Sequence, residues 1–181
     1  MNSFYTRRGD DGTTGLLGEG RLEKHDLRME TLGTLDEVSA AFGLVRSTAE
    51  SQDIKTVVLE IQKQIYKLMG EVAATKETVE QFRVINDSMI LWLEEKIDHF
   101  SGLTEIPRAF IIPGDSLGGA AMAMARTVVR RAERRVSELL TRGDIENAAV
   151  LKYLNRLSSL CFVLEIYENK LSSKTQQTLA K

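Results

Sequence analysis

Leu117-Gly-Gly-Ala-Ala-Met-Ala-Met-Ala-Arg126-Thr-Val-Val-Arg130-Arg-Ala-Glu133-Arg-Arg-Val-Ser-Glu-Leu-Leu-Thr-Arg142 is the stretch on which the fold turns. At 100° per residue, Leu117, Ala121, Met124, Val128, Ala132, Val136 and Leu139 share one face, the repeat of an amphipathic helix with a core stripe. The opposite face carries Gly119, Met122, Ala123, Arg126, Arg130 and Glu133. Its first half is small or apolar and suits a second buried contact. Its second half sets Arg126 and Arg130 one turn apart, and like charges at that spacing repel unless an anion or a carboxylate lies between them. Two readings stand side by side: a charged surface with an Arg130–Glu133 pair, and an anion site at a subunit interface.

Outward from this helix the same period recurs. Downstream, Gly143-Asp144 ends it and caps a fifth helix, about Ile145 to Leu171, with Val150, Leu154, Leu157, Cys161 and Leu164 as core and Asn155, Arg156, Ser158 and Ser159 as a polar flank. The tail, residues 172–181, is polar and reads as disordered. Upstream, Ala109 to Ser116 reads as a short buried extended piece, with no second strand signal to make a sheet. A third helix spans about Asn86 to Ser101, with Asn86 or Asp87 as cap and Trp92 as packing. A second spans about Ile54 to Ala74, and Val79 to Val84 is a polar connection. The first runs from about Leu27 to Ala49 behind Asp26 as N-cap. Gly33 and Gly43 inside it cost helix propensity and suggest close approach by a neighbour or ligand. Five helices with short connections predict an all-α, antiparallel five-helix bundle in one domain, residues 1–181.

Composition agrees. The 181 residues are 43% hydrophobic and only 6% aromatic, with two prolines, which favours helices over a sandwich or barrel. A net charge of −2 leaves no global electrostatic case for nucleic acid or an anionic membrane. The lone Cys161 reads as a buried thiol in a reducing compartment, and no apolar run is long enough for a leader or a membrane span, so the expectation is a soluble, cytoplasmic protein. His25 and His99 lie far apart in sequence and read as solvated imidazoles rather than metal ligands.

Ahead of the helices lies Tyr5-Thr-Arg-Arg-Gly-Asp-Asp-Gly-Thr-Thr-Gly-Leu-Leu-Gly18, part of an arm over residues 1–25. Its glycines let backbone approach a ligand, and its Thr hydroxyls and Asp carboxylates suit Mg²⁺ or its water shell. It matches neither G-x-x-x-x-G-K-[ST] nor G-x-G-x-x-G. Taken alone it is either a phosphate-handling loop or a flexible arm.

Thr6-Arg-x-Gly-Asp-x-Gly-Thr-Thr14, Leu32-Gly-Thr-Leu-Asp36-Glu37, Phe110-Ile-Ile-Pro-Gly114, Ala125-Arg126-Thr127-x-x-Arg130-Arg131-Ala132-Glu133-Arg134 and Leu154-Asn155-Arg156-Leu157-Ser158 occur in that order. With these five motifs the chain resembles the ATP:cob(I)alamin adenosyltransferases of the propanediol-utilisation type. The resemblance runs from Tyr5 to about Tyr167. It implies a homotrimer with ATP and corrinoid bound between subunits, and Mg²⁺ held mainly through ATP phosphates.

Residue by residue, it gives the ATP role to Thr6, Arg7, Gly9, Asp10, Gly12, Thr13 and Thr14, with Lys24 as a further phosphate contact. Arg126, Arg130 and Glu133 inherit the nucleotide side of the interface, and Asp36 is implied to pair with Arg126 of a neighbouring subunit. Asn155 helps hold the nucleotide in its reactive pose, while Phe110 and Phe162 belong to the corrinoid side. The implied reaction moves the 5′-deoxyadenosyl group of ATP to reduced cobalt, giving adenosylcobalamin and triphosphate. A corrinoid reductase and an adenosylcobalamin-dependent enzyme are the implied partners.

Departures cluster on the corrinoid half. Ser159 stands where the family has Asp, Glu165-Ile166 where it has Ala-Arg, Asp115 where it has Gly, and a helix-four His is replaced near Ala123. They motivate an alternative: a nucleotide- and corrinoid-binding carrier or sensor without efficient turnover.

Overall fold

Two short strands, β1 (Thr13–Gly15) and β2 (Arg21–Glu23), precede α1 (Leu27–Thr48), α2 (Gln52–Ala73), the single turn α3 (Val79–Phe82), α4 (Asp87–Gly102), α5 (Leu117–Arg142) and α6 (Ala149–Ser173). The computed structural model describes residues 5–173 and 177–180. Side-chain caps start four of the long helices: Asp26 accepts the Arg28 N–H, Ser51 that of Ile54, Asn86 that of Met89 and Ser116 that of Gly119. Gly143, at φ 73°, closes α5 in the left-handed conformation that glycine adopts without a Cβ penalty. The fifth long helix begins later than its sequence suggests. Asp144 does not cap it; the Asn147 side chain accepts the Ala149 N–H at 3.1 Å, and Asp144 pairs with Arg142 instead.

The five long helices form the predicted all-α bundle. α5 packs between α1 and α6, α1 also meets α2, and α4 lies against α6. Phe42, Leu35, Ile61, Ile65, Leu68, Leu139, Tyr153 and Leu154 are fully buried at its centre, and the Tyr153 hydroxyl donates to Gln64 at 2.8 Å. Among the described residues no helix is long and apolar enough to cross a membrane.

The rotation of α5 about its axis differs from the sequence expectation in its first half. Leu117 and Met124 are 72% and 59% exposed, whereas Gly118, Gly119, Met122, Ala123, Ala125 and Val129 are buried. The glycines explain it. A Cβ on Gly118 would stand 2.9 Å from the Ala49 Cα, and one on Gly119 would stand 1.9 Å from the Asn169 Oδ1. Gly118 and Gly119 therefore face inward where α5 meets the end of α1 and the end of α6, Met122 turns inward with them, and Leu117 and Met124 face out. Among the described residues Gly33 and Gly43 show no such close approach: a Cβ on Gly33 would meet nothing within 4 Å, and one on Gly43 only Gln62 at 3.8 Å.

Two further segments differ from expectation. The piece Ala109–Ser116 is extended but not buried, with Phe110 86% exposed. It has a partner that lies far away in sequence. Residues 177–180 run antiparallel to it: the Ile112 N–H donates to the Thr178 carbonyl and the Ala180 N–H to that of Phe110, both at 2.8 Å. Thr178 also donates through its N–H and hydroxyl to Asp115, at 2.9 and 2.6 Å. The rest of the polar tail, residues 174–176 and 181, lies outside the described residues.

Candidate active site

The N-terminal arm is a hairpin rather than an open coil. β1 pairs antiparallel with β2, Thr14 opposite Leu22. Gly12 takes φ 85° at the turn, where its carbonyl accepts the Lys24 N–H at 2.9 Å. Asp11 organises the bend by accepting both the N–H and the hydroxyl of Thr13 at 2.9 Å. These two bonds, with Arg21 nearby, hold the Asp11 carboxyl below the usual range. Arg21 in turn donates to the Thr13 hydroxyl at 2.7 Å and to the Arg8 carbonyl at 2.5 Å. Arg7, at φ 58°, lies over the Tyr5 ring. The Lys24 ammonium donates to the Gly9 carbonyl at 2.6 Å, so a cation sits among backbone groups of the bend. Asp10 is exposed, and its carboxylate has no partner among the described residues. Leu17 pins the arm to the body: its N–H donates to the Ala73 carbonyl and its carbonyl accepts the Thr75 N–H. The structural role of Asp11 is legible in the Asp11-Gly-Thr13 spacing of an Asx turn, whereas no local pattern marks Arg21.

The arginine face of α5 opens on a cleft shared with α6, lined by Arg130, Glu133, Arg134, Ser137, Lys152, Asn155 and Arg156 among others. Glu133 is its centre. It accepts from Asn155 at 2.9 Å and from Arg130 at 3.3 Å. Arg156 extends the chain, donating to the Asn155 side-chain Oδ1 at 3.0 Å and to Glu94 at 2.8 Å. Three of the sequence candidates, Arg130, Glu133 and Asn155, are thus brought together from two helices. Repulsion between Arg126 and Arg130 is relieved because each has its own carboxylate: Arg130 pairs with Glu133, and the Arg126 Nε lies 3.9 Å from Glu165.

Arg126 belongs to a second cavity, bordered by Pro107, Arg108, Phe110, Ile111 and Phe162. The two aromatic candidates therefore share one wall with the arginine that lies one turn before Arg130. Glu165 sits behind that wall with no solvent exposure, and among the described residues neither carboxylate oxygen finds a hydrogen-bond partner. Burial, reinforced by Asp115 and offset by Arg126, pushes its carboxyl up to about 7. Cys161, one turn earlier, is wholly buried and its thiol is raised above its ordinary range, so it is not a nucleophile here.

The single chain does not unite all the candidates. The arm borders a cleft that reaches Arg142, at the C-terminal end of α5, while Arg130 lies twelve residues earlier on the same helix, roughly 18 Å along its axis. Asp36 is exposed on α1 and does not pair with Arg126 of its own chain. His25 and His99 are both exposed, and among the described residues no group of three or more His, Cys, Asp or Glu side chains could hold a metal ion.

Known proteins share this architecture. A family profile described as Cobalamin adenosyltransferase matches residues 4–168. A corrinoid adenosyltransferase of Bacillus subtilis is 37% identical over 163 residues, spanning 88% of this chain and 82% of that protein. Among solved structures, a phenylalanine-to-alanine variant of a PduO-type ATP:corrinoid adenosyltransferase from Lactobacillus reuteri, complexed with cobalamin and ATP, aligns with TM-score 0.91 at 31% identity over 99% of both chains. An arginine-to-lysine variant from the same organism, complexed with ATP, aligns with TM-score 0.89 at 30% identity over 98% of this chain and 100% of that one.

Proposed function

This chain belongs to the cobalamin adenosyltransferase family, and from that membership we propose how its own residues run the reaction. The protein is an ATP:corrinoid adenosyltransferase, moving the 5′-deoxyadenosyl group of ATP to the reduced cobalt of cob(I)alamin. The observation that carries this reading is the adjacency of two clefts on α5: a polar one built on Arg130, Glu133 and Asn155, and an aromatic one built on Phe110, Phe162 and Arg126.

The cobalt lone pair of the substrate attacks the 5′ carbon of ATP, the C5′–O bond breaks, and its electron pair leaves with the triphosphate. No side-chain nucleophile is needed. The chain supplies alignment and charge. Arg130, held on one edge by Glu133, turns its other edge to the negative charge gathering on the leaving group. Asn155, fixed by the same carboxylate, orients the nucleotide. Thr6, Arg7, Gly9, Asp10, Gly12, Thr13, Thr14 and Lys24 wrap the phosphates. Phe110 and Phe162 pack beside the corrin ring and disfavour a lower axial ligand, which keeps the reduced state of cobalt accessible.

The arm and the arginine face are separated within one chain, so the complete site forms where the arm of one subunit meets the arginine face of another in a homotrimer. Asp36 of one subunit then reaches Arg126 of its neighbour. Mg²⁺ fits this site as an ion held by phosphate oxygens with few protein ligands, near Asp10 and the arm hydroxyls. When bound it neutralises charge on the departing phosphates. A corrinoid reductase supplies the electron, and an adenosylcobalamin-dependent enzyme takes the product.

An anaerobic assay with reduced cobalamin, ATP and Mg²⁺ tests the reading. Formation of the Co–C bond with release of triphosphate is expected. Tight binding of both substrates without either product would establish the carrier or sensor instead.

A further inference from the structure

Among the described residues, Glu165 is the one wholly buried carboxylate that the reaction outlined above leaves unused. Glu71 accepts from the backbone N–H groups of Val84 and Ile85 and from the Asn147 amide, and Glu168 accepts from those of Glu50 and Ser51, so both have structural duties. Glu165 has no such bond. Among the described residues, its two oxygens and the Arg126 Nε are buried polar atoms without hydrogen-bond partners, the Nε and Oε2 lying 3.9 Å apart. An isolated buried carboxylate is costly, and a pair at that distance gains attraction without hydrogen bonds. The guanidinium is not wholly enclosed. The Arg126 side chain is 29% exposed and borders the cavity of Phe110 and Phe162.

The geometry points to Glu165 as a positioning residue for Arg126: it holds the inner edge of the guanidinium from behind, so that the outer edge stands on the wall of the aromatic cavity and meets the corrinoid side of the site. The inference rests on the proposed adenosyltransferase site and names a residue that sets its corrinoid affinity. The charged groups that act on Glu165 are Arg126 on α5 and Asp115 ahead of α5; Glu165 in turn acts on the Cys161 thiol of its own helix, and Asp36 of the neighbouring subunit is the second carboxylate proposed to reach Arg126. Cys161 stays protonated, and Asp115 is engaged by Thr178. Arg126 is therefore the only cation in the group. With Glu165 ionised, the inner edge of Arg126 is neutralised and fixed. With Glu165 protonated, the inner edge of Arg126 loses its anchor and only the outer contact with Asp36 of the neighbouring subunit is left to hold it.

The test compares wild type with Glu165→Gln, Glu165→Asp and Glu165→Ala, using cob(II)alamin as the binding probe, read by its absorbance, and steady-state transfer to cob(I)alamin between pH 6 and 8.5. In wild type, corrinoid affinity should rise with pH through the titration of Glu165. Glu165→Ala and Glu165→Gln should weaken cob(II)alamin binding about tenfold at pH 8 and flatten its pH profile, with the KM for ATP within twofold of wild type. Glu165→Asp should restore the pH dependence. Wild-type affinity and profile in Glu165→Gln would overturn the inference, as would a loss of thermal stability with no change in the corrinoid profile. Failure of transfer in wild type would refute the proposed activity instead, and the cob(II)alamin measurement would still decide the role of Glu165.

Discussion

Asn155 on α6 donates to Glu133 on α5 at 2.9 Å, and the same carboxylate takes Arg130 at 3.3 Å, so one half-buried acid orients both an amide and a guanidinium toward a single cleft. Removing that acid disorients two groups at once. Glu133→Ala should therefore lower kcat/KM for ATP by more than either Asn155→Ala or Arg130→Lys. The double variant Glu133→Ala/Asn155→Ala should be less than additive, because the residues act as a unit. Steady-state kinetics on the four proteins checks it, and simple additivity would contradict the shared orientation.

Arg130→Ala should abolish turnover while the fold survives. The side chain is half exposed and its pair with Glu133 is an i,i+3 surface contact, the kind that contributes about 0.5 kcal/mol or less. Loss of a donor aimed at developing charge costs about 100-fold or more in rate. Tm and anaerobic transfer rates measured together distinguish these effects; a wild-type rate would remove Arg130 from the mechanism.

The pH dependence of stability follows from Glu165. Its folded value, raised to about 7 by burial, lies above the ordinary 4.5 of an unfolded chain. The folded state therefore holds the proton more tightly, and this carboxyl lowers stability progressively as pH rises from about 4.5 to about 7. The same shift corresponds to a free-energy change on the order of 3 kcal/mol. Glu165→Gln should match wild type at the acid end of that window and exceed it at pH 8. Melting curves of both proteins over this range provide the check, and two parallel curves would refute it.

Glycines on the two faces of the bundle should respond with opposite signs. Gly119→Ala drives a methyl into the Asn169 amide, with Ser116 Oγ only 2.8 Å from the same Cβ, and should cost about 2 kcal/mol or more through forced displacement of a packed cap. Gly33→Ala meets nothing within 4 Å among the described residues and should stabilise the isolated subunit by about 0.5–1 kcal/mol through helix propensity. Denaturant unfolding measures both. A destabilised Gly33→Ala variant whose oligomer dissociates more readily would place a neighbouring subunit against α1.

Cutting the chain after Lys170, or substituting Asp115→Ala, should free the Phe110 segment from residues 177–180. The Ile112 amide is bonded across this pairing, and its hydrogen exchange should accelerate at least tenfold in both variants by loss of local protection, as should that of the Ala180 amide in Asp115→Ala. Unchanged protection in Asp115→Ala would show that the backbone pairing needs no side-chain clamp.

The sequence alone determined the number and order of the long helices, the start of α1 at Asp26 and of α4 at Asn86, the end of α5 at Gly143, and the spacing that sets Arg126, Arg130 and Glu133 along one helix. Those features depend on local caps and a 3.6-residue repeat, which act within a few residues. Only the tertiary structure decided the rotation of α5, because Gly, Ala and Met in Leu117–Ala125 define no sharp apolar face and the choice falls to the close contacts of Gly118 with Ala49 and of Gly119 with Asn169. It also decided that the arm closes into a hairpin around Asp11, that residues 177–180 pair with Phe110–Ile112, and that Glu165 rather than Asp36 stands beside Arg126 within one chain. Each of those contacts joins residues by the path of the chain through space, and no local period encodes it.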